Sequence, residues 1–175
     1  MKLAIVDLGC GNIGSVALAI GRFGIDALVT SDPAEIASAD RVILPGVGAA
    51  GYAVERIEAL SLRGPLTELT QPALGICLGI IPGKVRRLDP APGLAVPHMG
   101  WSKVSVADPA IGLEDGDYLY FAHSFACDSS PATVASAEHG RELPAVVRKA
   151  NWLGAQFHPE RSGAAGARFL ESFLA

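Results

Sequence analysis

The sequence predicts an α/β fold: an open, mainly parallel sheet with flanking helices and an antiparallel extension in the second half. Three observations predict it. Through Ile76, short apolar runs alternate with segments of helical periodicity, the order that builds a parallel sheet covered on both faces. After Lys84, strand patterns follow one another without intervening helices. Half of the 175 residues are apolar and only 18% are charged, which supplies buried strands and leaves too little charge for disorder.

Lys2 to Leu8 reads as the first strand, Gly9 to Asn12 as a glycine-rich turn, and Ile13, Val16, Ala17, Ile20 and Phe23 recur at helical spacing until Gly24. Ala27 to Thr30 is a second strand. Asp32-Pro33-Ala34-Glu35 opens a short helix with an N-cap, a proline at the first helical position and a capping-box glutamate. Arg41 to Leu44 is a third strand, Ala50 to Leu60 a helix, and Pro72 to Ile76 a buried strand. In the second half, Lys84 to Leu88, Lys103 to Val106, Tyr118 to Ala122 and Thr133 to Glu138 read as strands, and Ala145 to Ala150 with Leu153 to Phe157 as a hairpin. A final helix, Ala164 to Leu174, turns Gly166, Phe169, Leu170 and Phe173 toward the sheet while Arg168 and Glu171 face water. The chain is expected to form one domain over residues 1–175.

A net charge of −4 gives no electrostatic footprint for nucleic acid or an anionic membrane. The apolar run Leu3 to Val6 is cut by Asp7, too short for a signal segment or a membrane span, so a cytoplasmic protein is expected. Cys10, Cys77 and Cys127 are odd in number, without CxxC spacing or clustered histidines. No disulfide framework, metal or other cofactor is therefore expected.

Two segments carry chemistry. In Gly75-Ile76-Cys77-Leu78-Gly79 a glycine stands two residues either side of Cys77, permitting a tight turn that presents the sulfur at the end of a strand. In Gln156-Phe157-His158-Pro159-Glu160 the proline biases His158 toward an extended backbone, so His158 and Glu160 project on the same side. A thiol is mostly protonated near neutrality; a histidine lowers its pKa and shuttles its proton, and a carboxylate orients the histidine. Alone, such a cysteine reads as a small buried hydrophobe and His-Pro-Glu as a surface turn. Together and in this order they make Cys77, His158 and Glu160 a candidate triad.

Other segments stay open. Gly9, Gly11 and Gly14 match GxGxxG spacing, but Asp32 lies beyond the second strand and is already explained as a helix cap, which weakens a dinucleotide reading. Pro45-Gly46-Val47-Gly48 is either an ordinary strand-to-helix turn or a set of amides aimed at a developing oxyanion. His98-Met99-Gly100-Trp101 and Tyr120 to Ser124 are core and strand-end residues, unless an exposed Trp101 marks a protein interface.

These residues resemble class I (triad) glutamine amidotransferases, most closely the glutaminase subunits of imidazole glycerol phosphate synthase. The segments Asp7 to Asn12, Leu44 to Gly48, Gly75 to Gly79, Val96 to Trp101, Tyr120 to Ser124 and Gln156 to Glu160 fall in that family's order along nearly the whole chain. The resemblance implies that Cys77 attacks the side-chain amide of L-glutamine, with His158 as acid/base and Glu160 orienting it. It implies an oxyanion hole from the Leu78 amide and the Gly46-Val47-Gly48 loop, and a glutamine site bordered by Ser124 and Phe125. It also implies that ammonia passes to a (β/α)₈-barrel cyclase subunit making imidazole glycerol phosphate in histidine biosynthesis, in a heterodimer bound through Asn12, His98, Met99 and Trp101. An amidotransferase of another pathway, such as anthranilate or aminodeoxychorismate synthesis, is disfavoured by His98 to Trp101.

The chain departs from the pattern at Gly14, where the family usually has Arg, at Phe125, where it usually has Tyr, and above all after Gly79. There the family continues with a helix opening Met-Gln and a loop, whereas here Gly79 runs directly into Ile80-Ile81-Pro82-Gly83. No helix fits between Cys77 and Pro82, and without one the thiolate loses a stabilising dipole. The reading is therefore that a helix and loop are omitted after Gly79. The expectation is a separation between Gly79 and Ile80 longer than the roughly 3.8 Å of bonded neighbours; a continuous, well-packed junction would instead favour a glutaminase-dead scaffold that keeps the partner surface.

Overall fold

The first strand, β1 (Leu3–Val6), is buried on both faces, which is why it is an unbroken apolar run. In the computed structural model, which describes residues 1–46, 50–70, 73–74 and 84–175, it belongs to the first of two units, Met1–Ile80 with Lys149–Leu153. Helix α1 (Ile13–Gly21) follows the glycine turn, capped by the Asn12 side chain accepting from the Ser15 amide at 3.2 Å. Strand β1 pairs parallel with β2 (Leu28–Thr30) on one side and with β3 (Arg41–Ile43) on the other. A short strand, β4 (Ala73–Leu74), pairs parallel with β3 and then with the segment at Trp152 and Leu153. The parallel half is as expected.

Helix α2 (Pro33–Ala37) begins at Asp32, whose carboxylate accepts from the Ala34 amide at 2.8 Å. Its capping box is replaced by a different arrangement. The Asp32 amide donates to the Thr30 hydroxyl at 3.0 Å, and that hydroxyl donates to Glu35, so Thr30 stands between the two groups that a capping box would join directly. Helix α3 (Ala50–Ala59) ends in a Schellman motif, with Leu62 N donating to Ile57 O and Ser61 N to Glu58 O, both at 2.9 Å, around Ser61 at φ 55°. A serine in place of glycine, then Gly64 and Pro65, hides the next helix, α4 (Arg63–Thr67), from sequence reading. Leu62 and Leu66 bury it against Ile36, Val42, Ile57 and Trp152 in the unit's core.

The second unit, Ile81–Arg148 with Gly154–Ala175, is antiparallel. Strand β5 (Val85–Arg87) is matched by β8 (Phe125–Cys127) in a two-stranded sheet. Strand β6 (His98–Val106) starts five residues before the expected Lys103, pairing along His98–Lys103 with β7 (Tyr118–His123) and along Val104–Val106 with β9 (Thr133–Glu138). Strand β10 (Glu142–Lys149) pairs with β9 through a register shift around Pro144 and Val146 and neighbours β11 (Trp152–Ala155). Helix α5 (Gly163–Leu174) buries Ala165, Gly166, Phe169, Leu170 and Phe173, and Phe169 stacks edge-on against Phe157, whose ring meets Phe121 in turn. Glu171 is exposed, but Arg168 corrects the expected water-facing position: it is half-buried and forks onto the Asp117 carboxylate at 2.6 and 2.8 Å.

Cys77 and the junction of Gly79 with Ile80 lie outside the described residues, as do Val47, Gly48 and Leu78. No helix among the described residues is long and apolar enough to cross a membrane.

Two glycines with nearly equal φ separate strain from crowding. Gly93 (φ 77°) faces open space, whereas a Cβ at Gly112 (φ 76°) would sit 2.4 Å from the Arg168 carbonyl of α5. Gly93→Ala is expected to cost about 1–2 kcal/mol of left-handed strain, and Gly112→Ala a further ~1–3 kcal/mol of overpacking. Urea unfolding of the two variants checks this; equal losses would contradict it.

Candidate active site

The His158 imidazole and the Glu160 carboxylate meet at 2.9 Å, Nδ1 to Oε1. Their contact does not come from a strand. β11 ends at Ala155, Gln156 still donates to the Ala145 carbonyl, and His158 leaves that partner to donate its amide to Tyr120 O at 2.9 Å. His158 is extended (φ −96°, ψ 98°), as a residue before proline should be. Pro159–Arg161 then form one 3₁₀ turn, so Glu160 comes round to the ring instead of lying two positions along a strand. A carboxylate only accepts, so His158 carries its proton on Nδ1 and leaves Nε2 basic, the tautomer a general base requires.

Burial pushes the Glu160 carboxyl up. The hydrogen bond from His158, its own backbone amide, and the charges of His158 and Arg161 outweigh that and hold it below the ordinary carboxylate value. Arg161 also lies over the Tyr120 ring, 4.4 Å from its centroid.

The other three histidines form a separate cluster in the same unit. His98 is buried, 3% exposed, with its ring stacked between Phe121 at 4.7 Å and His139 at 4.1 Å. His123 Nδ1 donates to the Phe125 carbonyl at 3.0 Å, so its Nε2 accepts from His98 Nδ1 at 3.1 Å, and His98 Nε2 accepts from the Ser102 hydroxyl at 2.8 Å. His139 Nε2 donates to Ala95 O at 2.8 Å. Burial first, then the charges of His139 and His123, lower His98 to about 4. Burial likewise lowers His123, against the Phe125 bond that raises it and with His139 and His158 adding to the decrease.

Of the residues grouped as a partner surface, Met99 and Trp101 are 66% and 54% exposed, and Trp101 meets Tyr120 edge-on at 5.9 Å. His98 instead fills the interior of its unit. Asn12 caps α1. Gly46 is exposed at the end of the segment after β3, Ser124 is half-buried and accepts from Leu88 N at 2.8 Å, and Phe125 is 47% exposed. Sequence reading missed Ser162, which is 1% exposed and donates to the His158 carbonyl at 2.7 Å; no spacing rule marks a lone serine as such a partner.

The residues 4–175 match the family model described as glutamine amidotransferase class-I. A protein of Idiomarina loihiensis described as imidazole glycerol phosphate synthase subunit HisH is 43% identical over 193 aligned positions, covering 99% of this chain and 97% of its own length. One of Xanthomonas axonopodis pv. citri with the same description is also 43% identical, covering 98% and 96%. The 193 positions exceed this chain's 175 residues, so the relative carries residues with no counterpart here. Among solved structures, a putative GMP synthase subunit from Thermoplasma acidophilum has a TM-score of 0.79 at 20% identity, covering 99% of this chain and 92% of its own. A structure described as a glutamine amidotransferase scores 0.76 at 18% identity, covering 99% and 97%. At those identities the likeness establishes the fold.

Because His98 and His123 are held neutral in the folded state and ionise near 6.5 when unfolded, the unfolded chain binds more protons as pH falls below that value. Stability is therefore expected to be full near pH 7 and to fall from about pH 6.5 toward 4, a fall steepened at its acid end by loss of the Glu160 carboxylate. Melting temperatures at pH 7 and pH 5 check this: the latter should be lower, and less so in His98→Phe.

Proposed function

We propose, from the premise that this chain belongs to the class I glutamine amidotransferase family, that it is the glutaminase subunit of an imidazole glycerol phosphate synthase. The observation that carries the chemistry is the His158–Glu160 pair at 2.9 Å, which fixes the base tautomer. Cys77 supplies the nucleophile: its sulfur attacks the side-chain amide carbon of glutamine, and His158 passes the thiol proton to the departing ammonia. Water, deprotonated by His158, then hydrolyses the glutamyl thioester to glutamate. Leu78, Gly46, Val47 and Gly48 supply oxyanion donors, and Ser124 and Phe125 border the substrate. Ammonia passes to a (β/α)₈-barrel cyclase subunit that makes imidazole glycerol phosphate in histidine biosynthesis.

The partner surface includes Met99 and Trp101, whose exposed side chains suit an interface enriched in Met and Trp. We assign Asn12, in the first unit, and the backbone at His98, in the second, as further contacts to the same partner.

A second reading is favoured by one observation: Gly79 is followed at once by Ile80-Ile81-Pro82-Gly83, and the aligned relative is longer than this chain. We place the omitted helix and loop after Gly79, within a single amidotransferase domain over residues 1–175. If that segment is absent from the working protein, the chain is a glutaminase-dead scaffold that retains the partner surface. Ammonia release from glutamine, with and without the cyclase, separates the two.

Cys77→Ala is expected to abolish glutamine hydrolysis while leaving the fold intact, and Glu160→Gln to lower kcat at least about a hundredfold. Hydrolysis by the chain alone should be slow and should rise when the cyclase is added, and a fast enzyme without partner would overturn that. Trp101→Ala should weaken the complex by about 1 kcal/mol or more in titration calorimetry; unchanged affinity would remove Trp101 from the interface.

A further inference from the structure

We propose that the Ser162 hydroxyl is a positioning group for the His158–Glu160 pair, inserted between the Tyr120 amide and the His158 carbonyl so that it fixes the backbone from which the imidazole is aimed. Both backbone groups of Tyr120 take partners from the segment 158–162. Its carbonyl accepts from His158 N at 2.9 Å. The Tyr120 amide faces the same segment but meets a side chain in it, not its backbone. Here it donates to Ser162 Oγ at 2.9 Å, and Ser162 Oγ donates onward to His158 O at 2.7 Å. A hydroxyl can accept and donate at once, so it bridges the Tyr120 amide to the His158 carbonyl.

The bridged carbonyl is also where the chain turns. The His158 carbonyl also accepts from Arg161 N at 3.0 Å, and Ser162 N donates to Pro159 O at 3.1 Å, closing the 3₁₀ turn that carries Glu160 to the ring. Helix α5 backs the turn. A Cβ at Gly166 would stand 2.1 Å from the Pro159 carbonyl and 2.8 Å from Ser162 Cβ, so the first turns of the helix lie directly against the 3₁₀ turn. With Ser162 buried, a water molecule has no ready place from which to substitute for the lost hydroxyl.

Ser162 acts through His158 and touches no reacting atom. Its part in glutamine hydrolysis rests on the proposed function, whereas its hold on the His158–Glu160 geometry belongs to this unit and can be read without substrate. The full chain is prepared with Ser162→Ala and with Ser162→Cys, which keeps most of the volume but bonds weakly. Carboxyl and imidazole NMR titrations of the chain alone are paired with kcat and KM for glutamine in the presence of the cyclase.

In folded Ser162→Ala, Glu160 should titrate higher than in the parent chain and the His158 ring resonances should shift while those of His98 and His123 stay. The kcat should fall on the order of tenfold to a hundredfold with KM nearly unchanged, as expected for a slightly misplaced base. Ser162→Cys should fall between, and it decides on the same readouts if Ser162→Ala does not fold. Unchanged Glu160 and His158 signals in a folded variant overturn the proposal, as does an unchanged kcat. If the parent complex hydrolyses no glutamine while Glu160 still moves in the variants, the proposed function fails and the positioning of His158 stands.

Discussion

The backbone of Tyr120 has two polar groups that must be satisfied, and the second unit is arranged around how they are. Its carbonyl and amide are taken by His158 and Ser162, so the stretch that leaves β11 cannot run on as a strand along β10 and is drawn against β7. Leaving either group unpaired in the interior would cost roughly 1–3 kcal/mol. The turn that results brings Glu160 onto His158, and α5 is seated on it at Gly166. Satisfying a backbone pair and assembling a base with its orienting carboxylate are here the same event.

The first unit uses a related device for another purpose. At α2, Thr30 places its hydroxyl between the Asp32 amide and the Glu35 carboxylate, where the local pattern alone would let Glu35 reach back to Asp32 directly. In both places a side-chain hydroxyl accepts from a backbone amide and donates onward to a second acceptor. In the first it binds a helix start to the end of β2; in the second it shapes the surroundings of a reactive ring.

Environment divides the four histidines between two roles. His98 is sandwiched by Phe121 and His139 and linked to His123 and Ser102, and burial among other histidines disfavours its charged form. It is a polar core residue whose hydrogen bonds order β6 against β7. His158 sits beside a carboxylate held ionised by its own neighbours, which stabilises an imidazolium when one forms. The chemistry of the side chain is the same; the adjacent charge decides whether it is structural or reactive.

The sequence by itself determined the alternation of the first half, the strands without helices of the second, the extended backbone at His158 and the carboxylate beside it, because hydrophobic periodicity and proline geometry act over a few residues. Its motifs also carried the family resemblance. It did not determine α4, because the stop that separates it from α3 is a serine at positive φ where a glycine is the usual signal, nor the early start of β6 at His98, which depends on pairing with His123 of β7, 25 residues later. Arg168 looked solvent-facing by helical phase until Asp117, 51 residues away, gave it a partner. The interior place of His98 and the insertion of Ser162 between Tyr120 and His158 were likewise decided only in three dimensions, since each is a hydrogen bond or ring contact between residues 4 to 42 positions apart. Local rules fix which residues carry chemistry; long-range satisfaction of buried polar groups fixes how they are aimed.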